Sequence, residues 1–304
     1  MYSASVRREA SFQNQILQYL INSAYLIGFA IHRTLSQCQT QSMAGSRKEN
    51  SMLNYDLHTH SSYSDGSGSL HDNIHAAEAM GLSHIALTDH LNVNERDWVD
   101  EALNELQNEP PAGYRVKILK GVEASLLDSG GTISIDEKAA AKLDIVLCDM
   151  GWHSLGFSGD ASLIPADQII ERIVECFINL CRNPLVGVVA HPFNFGRHTK
   201  VVIPPSEIPD DCLQKIADAF VVENTAFEVM NNAWWWHPLM HPREFTNQYV
   251  RIVKLFARRG VRFTLGSDAH GIGGVGNLGW SKYVLETAGV PPVQIVNPDI
   301  YLER

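Results

Sequence analysis

The stretch Tyr55-Asp56-Leu57-His58-Thr59-His60 reads as a short apolar strand that runs directly into two histidines. Residues two apart on a strand project from the same face, so His58 and His60 are placed to share one metal ion. The pattern recurs along the chain. Apolar runs ending in polar or histidine-bearing residues occupy 54–60, 84–90, 116–126, 144–150, 186–191, 227–231 and 262–270. Between several of them lie stretches with 3.6-residue apolar spacing, such as 70–80, 166–180 and 245–259, which predict amphipathic helices. Gly81 and Gly260 stand just past two of these, where a left-handed C-cap is wanted. Strand followed by helix, repeated, predicts a parallel sheet. No Gly-rich phosphate loop follows the first strand, which argues against a dinucleotide-binding fold and for an α/β barrel.

In such a barrel the C-terminal strand ends open onto one mouth, where active sites are built. Here those ends carry His58 and His60, then Asp65 in the turn Tyr63-Ser64-Asp65-Gly66, His90 after Thr88-Asp89, and Glu123 after Gly121-Val122. They continue with His153 after Gly151-Trp152, His191 in Ala190-His191-Pro192, and Asp268 and His270 in Gly266-Ser267-Asp268-Ala269-His270. A single histidine at a strand end is usually ordinary hydrogen-bonded structure. Six imidazoles converging with three carboxylates are different: they repel one another when protonated and lose hydration when neutral, unless a cation organises them. Nitrogen and oxygen donors without thiolate suit Zn, Mn or Fe. Asp56 and Asp89, next to the candidate ligands, read as orienting or capping groups. His71, His75, His84 and His198 have no partner spacing and read as ordinary.

Composition narrows the function classes. A chain of 304 residues, 45% hydrophobic, can bury a large core. A formal charge of -10 argues against a surface built to neutralise many nucleic-acid phosphates, so a small substrate is expected and long nucleic acid is not. The five cysteines, Cys38, Cys148, Cys176, Cys181 and Cys212, include no CxxC pair, which predicts a reduced cytoplasmic protein rather than a disulfide framework. Residues 1–51 read as an extension, poorly ordered or a single helix, ahead of a functional domain at 52–304. Its continuous apolar run, 24–31, is too short to span a bilayer, and no small-residue cleavage site follows it, so no stable membrane insertion is expected.

Taken in order, the motifs Asp56-Leu57-His58-Thr59-His60, Thr88-Asp89-His90, Gly121-Val122-Glu123, Ala190-His191-Pro192 and Ser267-Asp268-Ala269-His270 resemble those of the PHP (polymerase and histidinol phosphatase) domain, from about Leu53 to the C-terminus. The resemblance implies a distorted (β/α)7 barrel with a trinuclear metal site and phosphoesterase activity. Carried over by motif, His58, His60, Glu123 and Asp268 would hold one ion. Glu123 would bridge to a second held by His153 and His191, and Asp65, His90 and His270 would hold the third. Gly151-Trp152 ahead of His153 departs from the small or β-branched residues usual there. Three divalent ions bring six positive charges and the carboxylates remove three, so a hydroxide and a phosphate dianion would bring the site near neutrality. A bridging hydroxide attacking phosphorus in line is the implied mechanism, with Glu123 and Asp268 as the catalytic carboxylates.

Two segments are placed to set specificity. Arg197, in the loop after Ala190-His191-Pro192, offers a planar fork for a phosphoryl oxygen. Trp234-Trp235-Trp236-His237 follows the sixth run; three adjacent tryptophans cannot all enter one core, so Trp235 and His237 are expected at the mouth, facing substrate. The leading expectation is a phosphomonoesterase on a small metabolite, histidinol-phosphatase-like and using two to three divalent ions. The alternatives are a phosphodiesterase or 3'-5' exonuclease on nucleotides or short oligonucleotides, and a non-catalytic metal-binding PHP domain. The sequence leaves the metal and the oligomeric state open.

Overall fold

Among the described residues eight strands, all paired in parallel, form the sheet: β1 (Tyr55–Asp56), β2 (His84–Leu87), β3 (His90–Leu91), β4 (Lys117–Ser125), β5 (Ile145–Asp149), β6 (Val188–Val189), β7 (Ala226–Met230) and β8 (Arg262–Gly266). The computed structural model describes residues 53–92, 97–108, 113–150, 166–195 and 203–303. The strand order is β1-β2-β4-β5-β6-β7-β8, with β3 beside β4. β2 and β3 are two segments of one stave, because both pair with β4, His84–Leu87 against 117–120 and His90–Leu91 against 123–124. The seven apolar runs of the sequence are thus seven staves. Beyond its last ladder residue the first stave continues along the last: Leu57 N donates to Leu265 O (3.0 Å), Asp268 N to His58 O (2.9 Å) and His60 N to Ala269 O (2.9 Å). This nearly closes the barrel and brings both motif-bearing ends together.

The helices between staves form where the apolar spacing predicts them. Leu70–Ala79 opens with a reciprocal capping box between Ser69 and Asp72, which satisfies two of the helix's free amides. Pro242–Arg259 starts with proline in its first turn and ends at Gly260, at φ +94°; Gly81, after the first helix, has φ +69°. These are the left-handed positions expected of both glycines. Ile169–Arg182 is led in by a 3-10 turn, Ala166–Gln168. The helices bury their apolar faces on the outside of the staves. Phe227 of β7 is the hub there, its ring within 6.2 Å of those of Phe193, Phe220, Tyr249, Phe256 and Phe263.

Gly121 lies two residues before Glu123 on β4. A Cβ there would sit 2.7 Å from Ile145 Cγ2, 2.9 Å from Ile145 O and 3.0 Å from Thr88 Cγ2. One of these is backbone, which no rotamer change relieves. Gly121→Ala is therefore expected to lower stability by about 1–3 kcal/mol. The loss should be read as a reduced urea midpoint at unchanged slope; an unchanged midpoint would mean that β4 and β5 can separate freely.

The contacts of Met52–Arg304 form a single unit. The reading of 1–51 as an extension falls outside the described residues. Among the described residues no helix is long and apolar enough to cross a membrane.

Candidate metal centre

Eight of the nine candidate ligands converge at the C-terminal ends of the staves; the ninth, His153, lies outside the described residues. Their donor atoms form three overlapping groups, each within 4.8 Å: His60, Asp65, His90 and His270; His58, His60 and Asp268; and His58, Glu123 and His191. Glu123 is central. Its Oε1 is 2.8 Å from His191 Nε2, while its Oε2 is 2.8 Å from His90 Nδ1, 3.3 Å from His58 Nε2 and 3.5 Å from His60 Nε2. Each carboxylate oxygen thus faces a different set of imidazoles, as a bridging position requires. Asp268 Oδ1 is 3.0 Å from His60 Nε2, and Asp65 Oδ1 is 3.1 Å from His270 Nε2. The cluster runs from a sealed floor to an open rim: the side chains of His58, His60 and Glu123 are at most 1% exposed, those of His270 and Asp65 39% and 58%.

The chemistry of this set fits a cation. His58 Nε2, His60 Nε2 and both Glu123 oxygens are buried and crowd one another, yet none makes a well-aligned hydrogen bond among the described residues, an arrangement that is costly unless an ion satisfies them. Burial is the largest single influence on His90 and His191 and favours the neutral ring, but Glu123 and the neighbouring aspartates outweigh it and push both up to about 9. Burial wins at His60, whose pKa falls between the charged rings of His58 and His90. Burial would raise Glu123, yet His90, His58 and His191 together hold it well below the usual carboxylate range. Asp268 is likewise held low, burial being overcome by His58 and His60. Adjacent imidazoles pushed in opposite directions cannot all carry protons, and a divalent ion would do the protons' work.

The backbone holds these donors under strain. His191 and Asp268 adopt positive φ, 26° and 55°, as do Phe193 and Asn232 beside the site; non-glycine residues adopt such conformations where the surroundings impose them, often at functional sites. Asp56 ties the first and last staves, accepting from His58 N (3.3 Å), Ser267 N (2.9 Å) and Gly276 N (2.8 Å). Asp89 accepts from both the amides and the hydroxyls of Ser61 and Ser64, at 2.6–3.1 Å, and so fixes the turn that carries Asp65. Both do the orienting work expected of them. His71, His75 and His84 stay outside the centre, near Glu105, Tyr114 and Asp299 respectively, and His198 lies outside the described residues.

Above the cluster is a cavity of about 410 Å³, walled by Trp234, Trp235 and Trp236 and floored by Glu123, His191 and Asp149. The tryptophans occupy a 3-10 turn, Ala233–Trp236, entered through the left-handed Asn232. Trp236 turns inward, 9% exposed with its ring 5.3 Å from that of His191, while Trp235 stays 48% exposed. Trp235 is therefore at the mouth. His237 is not: it is buried, its Nε2 3.0 Å from Phe193 O and its ring 4.8 Å from Phe245, because the turn rotates it away from the cavity. Arg197 lies outside the described residues. Two polar groups that the motifs did not single out also belong here. Asn194 Nδ2 spans Asp149 Oδ1 (3.0 Å) and His191 Nδ1 (2.9 Å), and Glu228 of β7 lies beneath His58. A lone carboxylate within a fully buried strand was the available clue to the second.

Comparison with known proteins agrees with this architecture. The family model of the PHP domain matches residues 56–232, more than half of the chain. A protein of Thermoanaerobacter sp. named "Probable phosphatase" is 28% identical over 249 residues, covering 81% of this chain and 90% of that protein. One of the same name from Tolumonas auensis is 29% identical over 248 residues, covering 80% and 88%. Among solved structures, histidinol phosphate phosphatase of Lactococcus lactis, in complex with zinc, L-histidinol and phosphate, superposes with a TM-score of 0.55 at 19% identity, covering 79% of this chain and 95% of that one. Motif order, barrel closure and the convergence of donors agree with the family match: the chain belongs to the PHP domain family.

Proposed function

We propose that this protein is a metal-dependent phosphomonoesterase acting on a small phosphorylated metabolite. The observation that carries the reading is the set of buried, unpartnered imidazole and carboxylate atoms at the floor of a cavity sized for a small molecule. His58, His60, Asp65, His90, Glu123, His153, His191, Asp268 and His270 would hold two to three divalent ions, of zinc, manganese or iron, in a trinuclear arrangement. The name shared by the relatives and the zinc, histidinol and phosphate bound by the Lactococcus protein support this reading. When bound, the ions would supply Lewis acidity toward phosphoryl oxygens and hydroxide at neutral pH. Glu123 and Asp268, whose pKa values the surrounding histidines hold low, would act as acceptors, and Asp268 or a second metal-bound water would receive the proton. Trp235 offers a half-exposed face to the substrate's leaving group, and Arg197 a bidentate clamp on its outer oxygens. Four free cysteines among the described residues suit a cytoplasmic protein.

The test compares p-nitrophenyl phosphate, a nucleoside monophosphate and a short oligonucleotide on metal-loaded protein. Arg197→Lys is expected to lower kcat/KM on the monoesters by about 1–3 kcal/mol of transition-state stabilisation, since lysine keeps the charge but not the fork. Trp235→Ala is expected to matter less on those substrates. The competing exonuclease reading reverses the ranking, with Trp235→Ala costing about 1–3 kcal/mol per stacked base on the oligonucleotide alone. That reversal would replace the monoesterase reading.

A further inference from the structure

We propose that Glu228 is a positioning residue that holds His58 and His191, two of the candidate ligands, and sets which ring nitrogen His58 offers to the metal. The inference rests on the metal-dependent reading above and deepens it.

Glu228 sits in the middle of β7, between Phe227 and Val229, and is 1% exposed. A carboxylate so buried is tolerated only when its oxygens are hydrogen-bonded. Here Oε1 is 2.9 Å from His58 Nδ1 and Oε2 accepts from the His191 backbone amide at 2.6 Å. A carboxylate oxygen accepts, so the Nδ1 of His58 carries a hydrogen and its Nε2 is the nitrogen left to face an ion. That Nε2 is the atom facing Glu123 Oε2 at 3.3 Å and Asp268 Oδ1 at 3.6 Å. The second contact acts on backbone. His191 stands at φ +26°, a left-handed conformation that a side-chain-bearing residue keeps only when its surroundings hold it. The short bond from its amide to Glu228 does so.

Gly266 completes the arrangement. A Cβ there would lie 2.0 Å from Glu228 Oε1 and 2.5 Å from His58 Cβ, so bare backbone at 266 leaves the room in which carboxylate and ring meet. Glu228 does not line the cavity; it acts through the two histidines, which come from different staves and share one donor group with Glu123.

The experiment measures zinc affinity of the full chain by competition with a chromophoric chelator, with folding of the metal-free protein followed by circular dichroism. In Glu228→Gln one of the two oxygens becomes an NH2, so only one of the two donors keeps its acceptor. If the remaining oxygen keeps the His191 amide, the NH2 faces Nδ1 and forces the hydrogen of His58 onto Nε2. Zinc affinity is expected to fall about 10- to 100-fold while the metal-free fold persists. Thr264→Val, at the position paired with Glu228 on β8, is the control for core disturbance and is expected to leave affinity within about twofold. Should Glu228→Gln not fold, Glu228→Asp carries the test, since it keeps the charge but is too short to reach both donors, and a loss in the same direction is expected. A folded Gln or Asp variant with wild-type zinc affinity, or an equal loss in Thr264→Val, overturns the proposal. Wild-type protein that binds zinc but hydrolyses no phosphomonoester would overturn the proposed function and leave this inference standing on the affinities.

Discussion

Glu123→Gln is expected to cost about 10³-fold in kcat/KM and at least one equivalent of bound metal, because it removes the one charge that both halves of the cluster share. The carboxylate is buried at the centre, with His191 on one oxygen and His58, His60 and His90 around the other. Glutamine has nearly the same volume, so packing around Val122 and Ala124 is undisturbed. It brings no charge, however, and turns an NH2 toward imidazole nitrogens that need an acceptor or a cation. Breaking a buried charge arrangement on one side typically costs about 3–5 kcal/mol, which corresponds to the fold-change above. The measurement is elemental analysis of purified protein alongside steady-state kinetics on a phosphomonoester. A structural glutamate would leave metal content unchanged, and such a result would remove Glu123 from the centre.

The seven staves and the candidate ligands were legible because each apolar run terminates in its own chemistry. His58 and His60 share a face by strand period alone, and the glycines at 81 and 260 announced the helix ends. The split of one stave into β2 and β3 was not legible, since it arises from Thr88 and Asp89 turning to the first stave: Thr88 N donates to Thr59 O, and Asp89 accepts from Ser61 and Ser64. Such cross-stave bonds leave no periodic trace. His237 was expected at the mouth through its place after three tryptophans, but the phase of a 3-10 turn entered from a left-handed asparagine is set by tertiary contacts, here Phe193 and Phe245. Glu228 was hidden for the opposite reason: it lies inside the apolar run 227–231, before the strand end where ligands were sought. Its partner His58 is 170 residues away, a pairing that only barrel closure creates.

Stripping the metal is expected to abolish phosphomonoester hydrolysis and to lower the melting temperature by about 5–10 °C, since a ligand at a hundred times its Kd contributes about 2.7 kcal/mol and each kcal/mol moves a domain of this size by about 2–4 °C. The effect follows from the crowding of the centre. The His60 ring lies 4.3 Å from those of both His90 and His270 and 5.0 Å from that of His58. Without a cation the rings must divide protons among themselves, His90 and His191 pushed up to about 9 while His60 is driven down. His58 Nε2, His60 Nε2 and both Glu123 oxygens are left without a hydrogen bond among the described residues. A divalent ion relieves the repulsion and satisfies the lone pairs together, so its loss should be felt in stability as well as in rate. Differential scanning calorimetry before and after dialysis against a chelator, followed by return of zinc, manganese or ferrous iron in turn, checks both effects. The ion that restores melting temperature and rate in parallel is the one the centre is built to hold. A protein that keeps both after its metal content has fallen far below one equivalent would refute a metal centre at these residues.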